Sequence, residues 1–219
     1  MRVKEGRLIN SSAPLKFTFD DKEFLGYEGD TLASALIAND VKVIGRSFKY
    51  HRPRGVMTDG SHEPNGLVEI RDGNQTTPNV RLTTQELVSD LKIYSQNYWG
   101  TLKWDLLELN DLISPFLSAG FYYKTFMWPK KFWEALYEPS IRRAAGLGRL
   151  SMANNSDYYE KAYAFCDVLV IGSGPAGIMA ALTAANAGAK VIFCEEDSIF
   201  GGRLNSENYH IDGKPGDIW

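Results

Sequence analysis

The first legible pattern along the chain is alternation. Lys16-Phe17-Thr18-Phe19 repeats with a period of two, and Asp20-Asp21-Lys22 interrupts it. Glu23-Phe24-Leu25-Gly26-Tyr27 then resumes it, which predicts a β-hairpin. After Gly29-Asp30 the period lengthens. Between Thr31 and Asn39, apolar Leu32, Ala35 and Leu36 fall with Asn39 at i, i+3, i+4, i+7, which predicts an amphipathic helix. Gly66-Leu67-Val68-Glu69-Ile70 reads as a strand, and residues 72–80 (DGNQTTPNV) as turns. Thr83 with Glu86 three residues on has capping-box spacing and predicts a helix start. From Tyr94 to Tyr137 aromatic residues dominate, and Pro115, Gly120, Pro129 and Pro139 predict short pieces rather than long helices. Ile141 to Gly146 reads as a helix end, and Tyr158 to Phe165 as a polar, aromatic lead-in. The clearest order comes last. Val168-Leu169-Val170-Ile171 is an apolar run of strand length, Ile178 to Ala187 is a helix ended by Gly188, and Val191-Ile192-Phe193-Cys194 is a second strand.

Between that first strand and its helix, Gly172, Gly174 and Gly177 stand in G-x-G-x-x-G spacing. Gly172 permits the tight turn, Gly174 leaves room for a pyrophosphate, and Gly177 lets helix and strand pack closely. Ala176 lies in the same phosphate turn, where a helix N-terminus offers N–H groups and partial positive charge. Glu195 at the tip of the second strand is placed to accept hydrogen bonds from a ribose diol. Glu196 and Asp197 beside it would repel a 2′-phosphate, which argues against NADP. Strand, turn, helix, strand and acid in order predict dinucleotide binding, with NAD and FAD both compatible. Gly201-Gly202 lets the chain pass close to a bound nucleotide, and Arg203 is within reach of its pyrophosphate.

Composition narrows the function further. A net charge of −3 gives no reason to expect nucleic acid. The two cysteines, Cys166 and Cys194, read as buried reduced thiols of a cytoplasmic protein rather than a disulfide. With no C-x-x-C and no Cys/His cluster, the sequence shows no metal site. The N-terminal MRVKEGRLINSSAPL has no apolar core, so it is not read as a secretory signal. The long uncharged run from Val168 to Ala189 is broken by its glycine turn and Pro175, so it reads as a βα unit and not a membrane span. A doubly wound sheet needs further βα units, so the chain reads as the front part of a longer protein.

The predicted class is α/β in three parts. Residues 1–90 resemble a β-grasp domain of the plant-type ferredoxin kind, residues 91–164 form an aromatic-rich connecting or interface segment, and residues 165–219 begin a Rossmann-type NAD/FAD-binding domain. In such ferredoxins the loop after the helix supplies cluster cysteines. Here that loop, GRSFKYHRPRGVMTDGSHEPNGLVEI, has none, so the fold is expected without its cluster. Arg46, Lys49, Arg52 and Arg54 in it read either as a solvated basic loop or as a phosphate or partner contact. His51 and His62 read as structural. The aromatic segment reads equally well as core packing or as a subunit interface.

Together GRSFKYHRPRG, SHEPNGLV, AGFYYKTFMWPKKFWEALYEPSIRRAAGLG and DVLVIGSGPAG resemble the α subunit of heterotetrameric sarcosine oxidase along essentially the whole chain. The resemblance implies an enzyme of four different subunits, α with β, γ and δ. It demethylates sarcosine to glycine with hydrogen peroxide and forms methylene-tetrahydrofolate. It implies FAD and the sarcosine site on β, FMN at the α–β boundary, zinc on a small subunit, and unreacting NAD on α. The tetrahydrofolate site would lie beyond Trp219. Carried onto this chain, the NAD contacts are Ala176, Glu195, Glu196, Asp197 and Arg203, although Arg203 departs from the small hydroxyl residue common there. No catalytic residue for sarcosine oxidation is found in this chain, which by itself is expected to be inactive. Neither nucleic acid nor membrane is an expected partner. Two other readings stand beside this one: the α-type subunit of an amine, opine or proline dehydrogenase, or a non-catalytic scaffold fragment.

Overall fold

The computed structural model describes residues 8–112, 114–116, 120, 128–154, 158–207 and 210–216. The chain divides into two compact units, Met1–Asn155 and Ser156–Trp219.

In the first unit, β1 (Asn10–Phe19) and β2 (Lys22–Glu28) form the expected antiparallel hairpin, with Phe17 opposite Phe24. Asp20 and Asp21 both adopt positive φ, the two-residue turn whose twist suits a hairpin. Lys22 is already in the strand. Helix α1 (Leu32–Ala38) starts at Thr31, whose hydroxyl accepts from the Ser34 N–H while the Ser34 hydroxyl accepts from the Thr31 N–H. Asn39 caps its other end and donates through Nδ2 to the carbonyls of Leu25 and Ala35. The short strands β3 (Gly45–Arg46) and β4 (Pro53–Arg54) pair with each other. Strands β5 (Leu67–Asp72), β6 (Gln75–Arg81) and β7 (Leu91–Ser95) complete a five-stranded sheet of order β2-β1-β7-β5-β6. Its central β1–β7 pair is parallel and the other pairs are antiparallel. Phe17, Leu32, Ala35, Leu36, Ile44, Val68, Leu82, Leu87 and Ile93 form one buried core between helix and sheet.

Two sequence expectations fail here. Residues 75–80, read as turns, fall in the edge strand β6 (Gln75–Arg81). Pro78 is tolerated because an edge strand need not donate on its outer side, and Asn79 takes a left-handed conformation where the register slips between Val68 and Ile70. No helix starts at Thr83. Its hydroxyl donates 2.6 Å to the Gly60 carbonyl instead, and Glu86 bridges Thr31. Tertiary demand overrides the local capping signal. Leu82 and Leu87 must both be buried, and the carbonyls of Leu82 and Gln85 accept from the N–H groups of Ala33 and Leu32 at the start of α1.

The aromatic segment is broken up as expected. It holds 3₁₀ turns at Leu106–Asp111, Ser114–Phe116 and Lys130–Phe132, then a π turn at Trp133–Tyr137 that leads into α2 (Glu138–Ala144). Trp99, Trp104 and Trp128 are largely exposed, so they do not act as core. Phe121, Tyr122, Tyr123 and Phe126 lie outside the described residues.

In the second unit, β8 (Val168–Ile171), α3 (Pro175–Asn186) and β9 (Val191–Cys194) make a parallel β–α–β turn, and β10 (His210–Ile211) and β11 (Lys214–Pro215) form a small hairpin. The helix begins three residues before the predicted Ile178, because Pro175 suits the first helical position and its missing N–H costs nothing there. Asp167 fastens the strand entry: its N–H donates to the Lys190 carbonyl, and its carboxylate accepts from the Lys190 N–H. Cys194 is exposed and Cys166 half-buried, both free, so the expected burial of these thiols is corrected. Two strands and one helix cannot cover both sheet faces. Among the described residues no helix is long and apolar enough to cross a membrane.

Candidate dinucleotide site

The turn after β8 explains its glycines one by one. Gly172 sits at φ +98°, which only glycine adopts freely, and its N–H closes onto the Cys194 carbonyl at 2.8 Å. A Cβ on Gly177 would lie 1.9 Å from the Gly172 carbonyl oxygen and 3.6 Å from Val170 Cγ1, so its missing side chain is what lets α3 sit against β8. Gly174 is different. Its backbone (φ −62°, ψ 171°) is open to any residue, and a Cβ there would meet nothing within 4 Å. The chain itself therefore gives no reason for glycine at 174. A side chain there would fill the open space in front of the turn, where a dinucleotide's pyrophosphate lies in folds of this kind. Pro175 has no N–H, and the first-turn N–H groups of Ala176 and Gly177 have no carbonyl of their own helix to reach, so α3 presents donors and a positive dipole end at this point.

Glu195 lies where the strand order predicts it, at the tip of β9. One carboxylate oxygen accepts from the Ser173 N–H and hydroxyl, both at 2.5 Å, and the other from the N–H groups of Glu196 (2.8 Å) and Asp197 (3.1 Å). The Ser173 hydroxyl and N–H, aided by the Asp197 and Glu196 N–H groups, hold the carboxyl down at about 2. Asp197 is shifted the other way, upward, by burial and by the charges of Glu195 and Glu196.

Ser173 is the residue that sequence reading missed. It is fully buried, and its hydroxyl donates to Glu195 while accepting from the Gly201 N–H at 2.9 Å. One hydroxyl thus ties the glycine turn, the strand-end acid and the Gly201-Gly202 pair together. The available signal was its place between Gly172 and Gly174, since a buried hydroxyl needs partners on both sides. Gly201 and Gly202 adopt positive φ, and a Cβ on Gly202 would stand 3.2 Å from Gly174 Cα, so the pair lies against the turn after β8. Arg203 pairs its exposed guanidinium with Glu207 in an i,i+4 ion pair. The structure thus gathers Gly172, Gly174, Ala176, Gly177 and Glu195 around one turn, with Glu196 and Asp197 following the acid.

The loop after α1 carries its own polar network in the first unit. Arg46 is buried and donates to the carbonyls of His51, Leu102 and Lys103 and to the Glu108 carboxylate. His51 Nδ1 lies 2.6 Å from Asp105 Oδ2, both side chains essentially inaccessible. Arg52 pairs with Asp111 and lies 4.9 Å over the Tyr50 ring. Arg46 is therefore internal wiring of the loop, whereas Arg52 pairs at the surface and His62 is exposed.

Residues 12–98 match the family described as 2Fe-2S iron-sulfur cluster binding domain, and residues 167–214 match FAD dependent oxidoreductase. The chain is 56% identical over 213 residues to sarcosine oxidase subunit alpha of Rhizobium meliloti (strain 1021), covering 97% of this chain and 22% of that protein. It is 28% identical over 215 residues to the subunit of the same name from Corynebacterium sp. (strain U-96), covering 98% and 18%. The chain thus spans about a fifth of the length of the curated relatives it matches. Among solved structures it is similar to L-proline dehydrogenase from P. horikoshii, with a TM-score of 0.51 and 20% identity over 97% of this chain and 32% of that one, a likeness of fold. The chain is a homologue of sarcosine oxidase subunit alpha, with a ferredoxin-like domain followed by an FAD-dependent oxidoreductase region. A two-iron cluster does not fit the first of these. Its irons need thiolates, and both cysteines of the chain lie in the second unit.

Proposed function

We propose that this chain is the nucleotide-holding part of an alpha-type subunit in a sarcosine oxidase complex, and that the nucleotide is NAD. The observation that carries the reading is 56% identity to sarcosine oxidase subunit alpha over 97% of the chain. In this reading Gly172 and Gly174 admit the pyrophosphate, the N–H groups of Ala176 and Gly177 bind it, and Glu195 orients the adenosine ribose. Glu196 and Asp197 keep a 2′-phosphate away. Gly201-Gly202 closes over the turn, and Arg203 reaches the phosphates only by leaving Glu207. Bound NAD would supply an adenine-dinucleotide anchor and a nicotinamide able to accept hydride. Oxidation of sarcosine, release of hydrogen peroxide, transfer of the one-carbon unit to tetrahydrofolate, and FMN and FAD binding belong in this reading to other parts of a heterotetramer, with β, γ and δ subunits as partners in the cytoplasm. This chain contributes the seat, with no catalytic residue of its own.

A second reading puts FAD on the same turn. The family match over residues 167–214 favours it, and the glycine spacing suits both nucleotides. The deciding experiment is to denature the protein, purified with its native partners, and identify the nucleotide released from this subunit. NAD supports the first reading. FAD from this subunit overturns it in favour of the second, and absence of any nucleotide overturns both.

A further inference from the structure

We infer that the ferredoxin-like loop of this protein is built around the carboxylate of Glu63, which occupies the place that a cluster thiolate and its sulfurs take in the cluster-binding members of the fold. Plant-type ferredoxins space their first three ligands as C-x₄-C-x₂-C. Thr58-x₄-Glu63-x₂-Gly66 has that spacing and ends immediately before β5. Spacing alone would be coincidence in a long loop, but here the three positions converge. Glu63 Oε2 accepts from the N–H groups of Thr58 (2.8 Å) and Met57 (2.7 Å), and Oε1 from those of Gly66 (3.1 Å) and Asn65 (2.7 Å). Backbone N–H groups wrapped around one point form an anion-binding concavity of the kind that holds phosphates and iron–sulfur groups. In this chain the anion is supplied from within.

The surroundings agree. Glu63 is 1% exposed, yet no basic side chain pairs with its carboxylate among the described hydrogen bonds and ion pairs. A buried carboxylate without a cation is costly unless N–H donors replace water, and four do so here. Burial pushes the carboxyl up, but the N–H groups of Thr58, Asn65, Met57 and Gly66 outweigh it and hold it below the ordinary glutamate range. Gly66 leaves room for the acid: a Cβ there would stand 3.1 Å from Glu63 Cγ. From outside, Thr83 Oγ1 donates to the Gly60 carbonyl, Arg81 Nε to the Glu63 carbonyl, and the Leu82 N–H to the Gly66 carbonyl. A carboxylate has no redox chemistry, so this loop keeps the shape of an electron-transfer site without its capacity. The module is a scaffold whose loop is set by an internal ion.

The test is hydrogen exchange of the full chain carrying Glu63→Gln, whose side chain keeps the size but replaces one accepting oxygen with a donor. The amides of Met57, Thr58, Asn65 and Gly66 are expected to exchange faster by about tenfold or more, while those of Phe17 and Ile93 in the core keep their protection. Protection at the four loop amides within about threefold of the parent, with the core intact, overturns the inference. Should the variant lose core protection as well, the carboxyl carbon resonance of Glu63 in the parent protein decides. Titration below the ordinary glutamate range supports the internal anion, and titration within that range overturns it.

Discussion

The two units of this chain solve opposite problems. The first holds a fully buried apolar core between helix and sheet, with Leu32, Leu36, Val68, Leu82 and Ile93 at 0% exposure, although its aromatic segment stays exposed. The second leaves Ile171 at 80% and Leu169 and Leu182 about half exposed, and its buried apolar residues among those described are Ala181 and Leu204. Yet the second unit holds the more exact local geometry, with each glycine of its turn placed for a distinct reason. Order in the first unit comes from packing between residues far apart in sequence. Order in the second comes from a backbone path of some thirty residues, fastened by Gly172, Ser173 and Glu195. A glycine turn of exact geometry can thus be well formed where little core supports it, because its hydrogen bonds close locally.

This comparison can be broken at several points. Leu36→Ala should cost about 2–5 kcal/mol of stability by leaving a cavity, whereas Ile171→Ala should cost less than about 0.5 kcal/mol. Denaturant titration checks the pair, and equal costs would end the contrast. Arg46→Met should cost about 2–3 kcal/mol, since three carbonyls, that of buried His51 among them, and the Glu108 carboxylate lose their donor. A surface-like loss there would mean the loop is solvated after all. In the second unit, Gly177→Ala drives a Cβ into the Gly172 carbonyl and should cost about 1–3 kcal/mol. Gly174→Val should change stability by no more than about 0.5 kcal/mol while abolishing nucleotide retention, because the new side chain meets ligand and not protein. Nucleotide kept in that variant would sink the site assignment. The smallest effect is acid loosening of the Glu195 tie. A carboxyl held at about 2 in the folded state, against 4.5 ordinarily, favours folding above that ordinary value. The contribution fades as pH falls from there through 2. The Ser173 amide resonance should report it, and a Ser173 signal constant over that window would exclude the tie.

Much of this was legible from sequence where the pattern was local. The hairpin around Asp20-Asp21, the helix after Thr31 and the glycine turn between two apolar strands each carry their own signal. What stayed hidden depends on distant partners. Pro78 and Asn79 look like a turn until β5 and the edge position of β6 are known. Thr83 and Glu86 look like a helix cap until Gly60 and Thr31 claim them. Cys194 reads as buried because a strand residue usually is, and here the sheet face is open. Glu63 and Ser173 escaped because each acts through backbone N–H groups, which sequence does not display. For Glu63 the ligand spacing of the ferredoxin loop was on view, but it marks a site only when the missing cysteines are read as replaced rather than lost.

The irregular edge strand has a further consequence for how crowded molecules of this protein behave. A sheet edge with free N–H and C=O groups is a template on which another chain can grow as a strand. Along β6 that template is spoiled three times over: Pro78 donates nothing, the Asn79 bulge turns the ladder aside, and the Asn79 carboxamide and Gln75 are taken by hydrogen bonds with Gly148 and Asn154. The opposite edge, β2, carries Lys22, Glu23 and Glu28, whose charges oppose close stacking of identical strands. The residues that made β6 hardest to read are those that oppose strand addition at this edge.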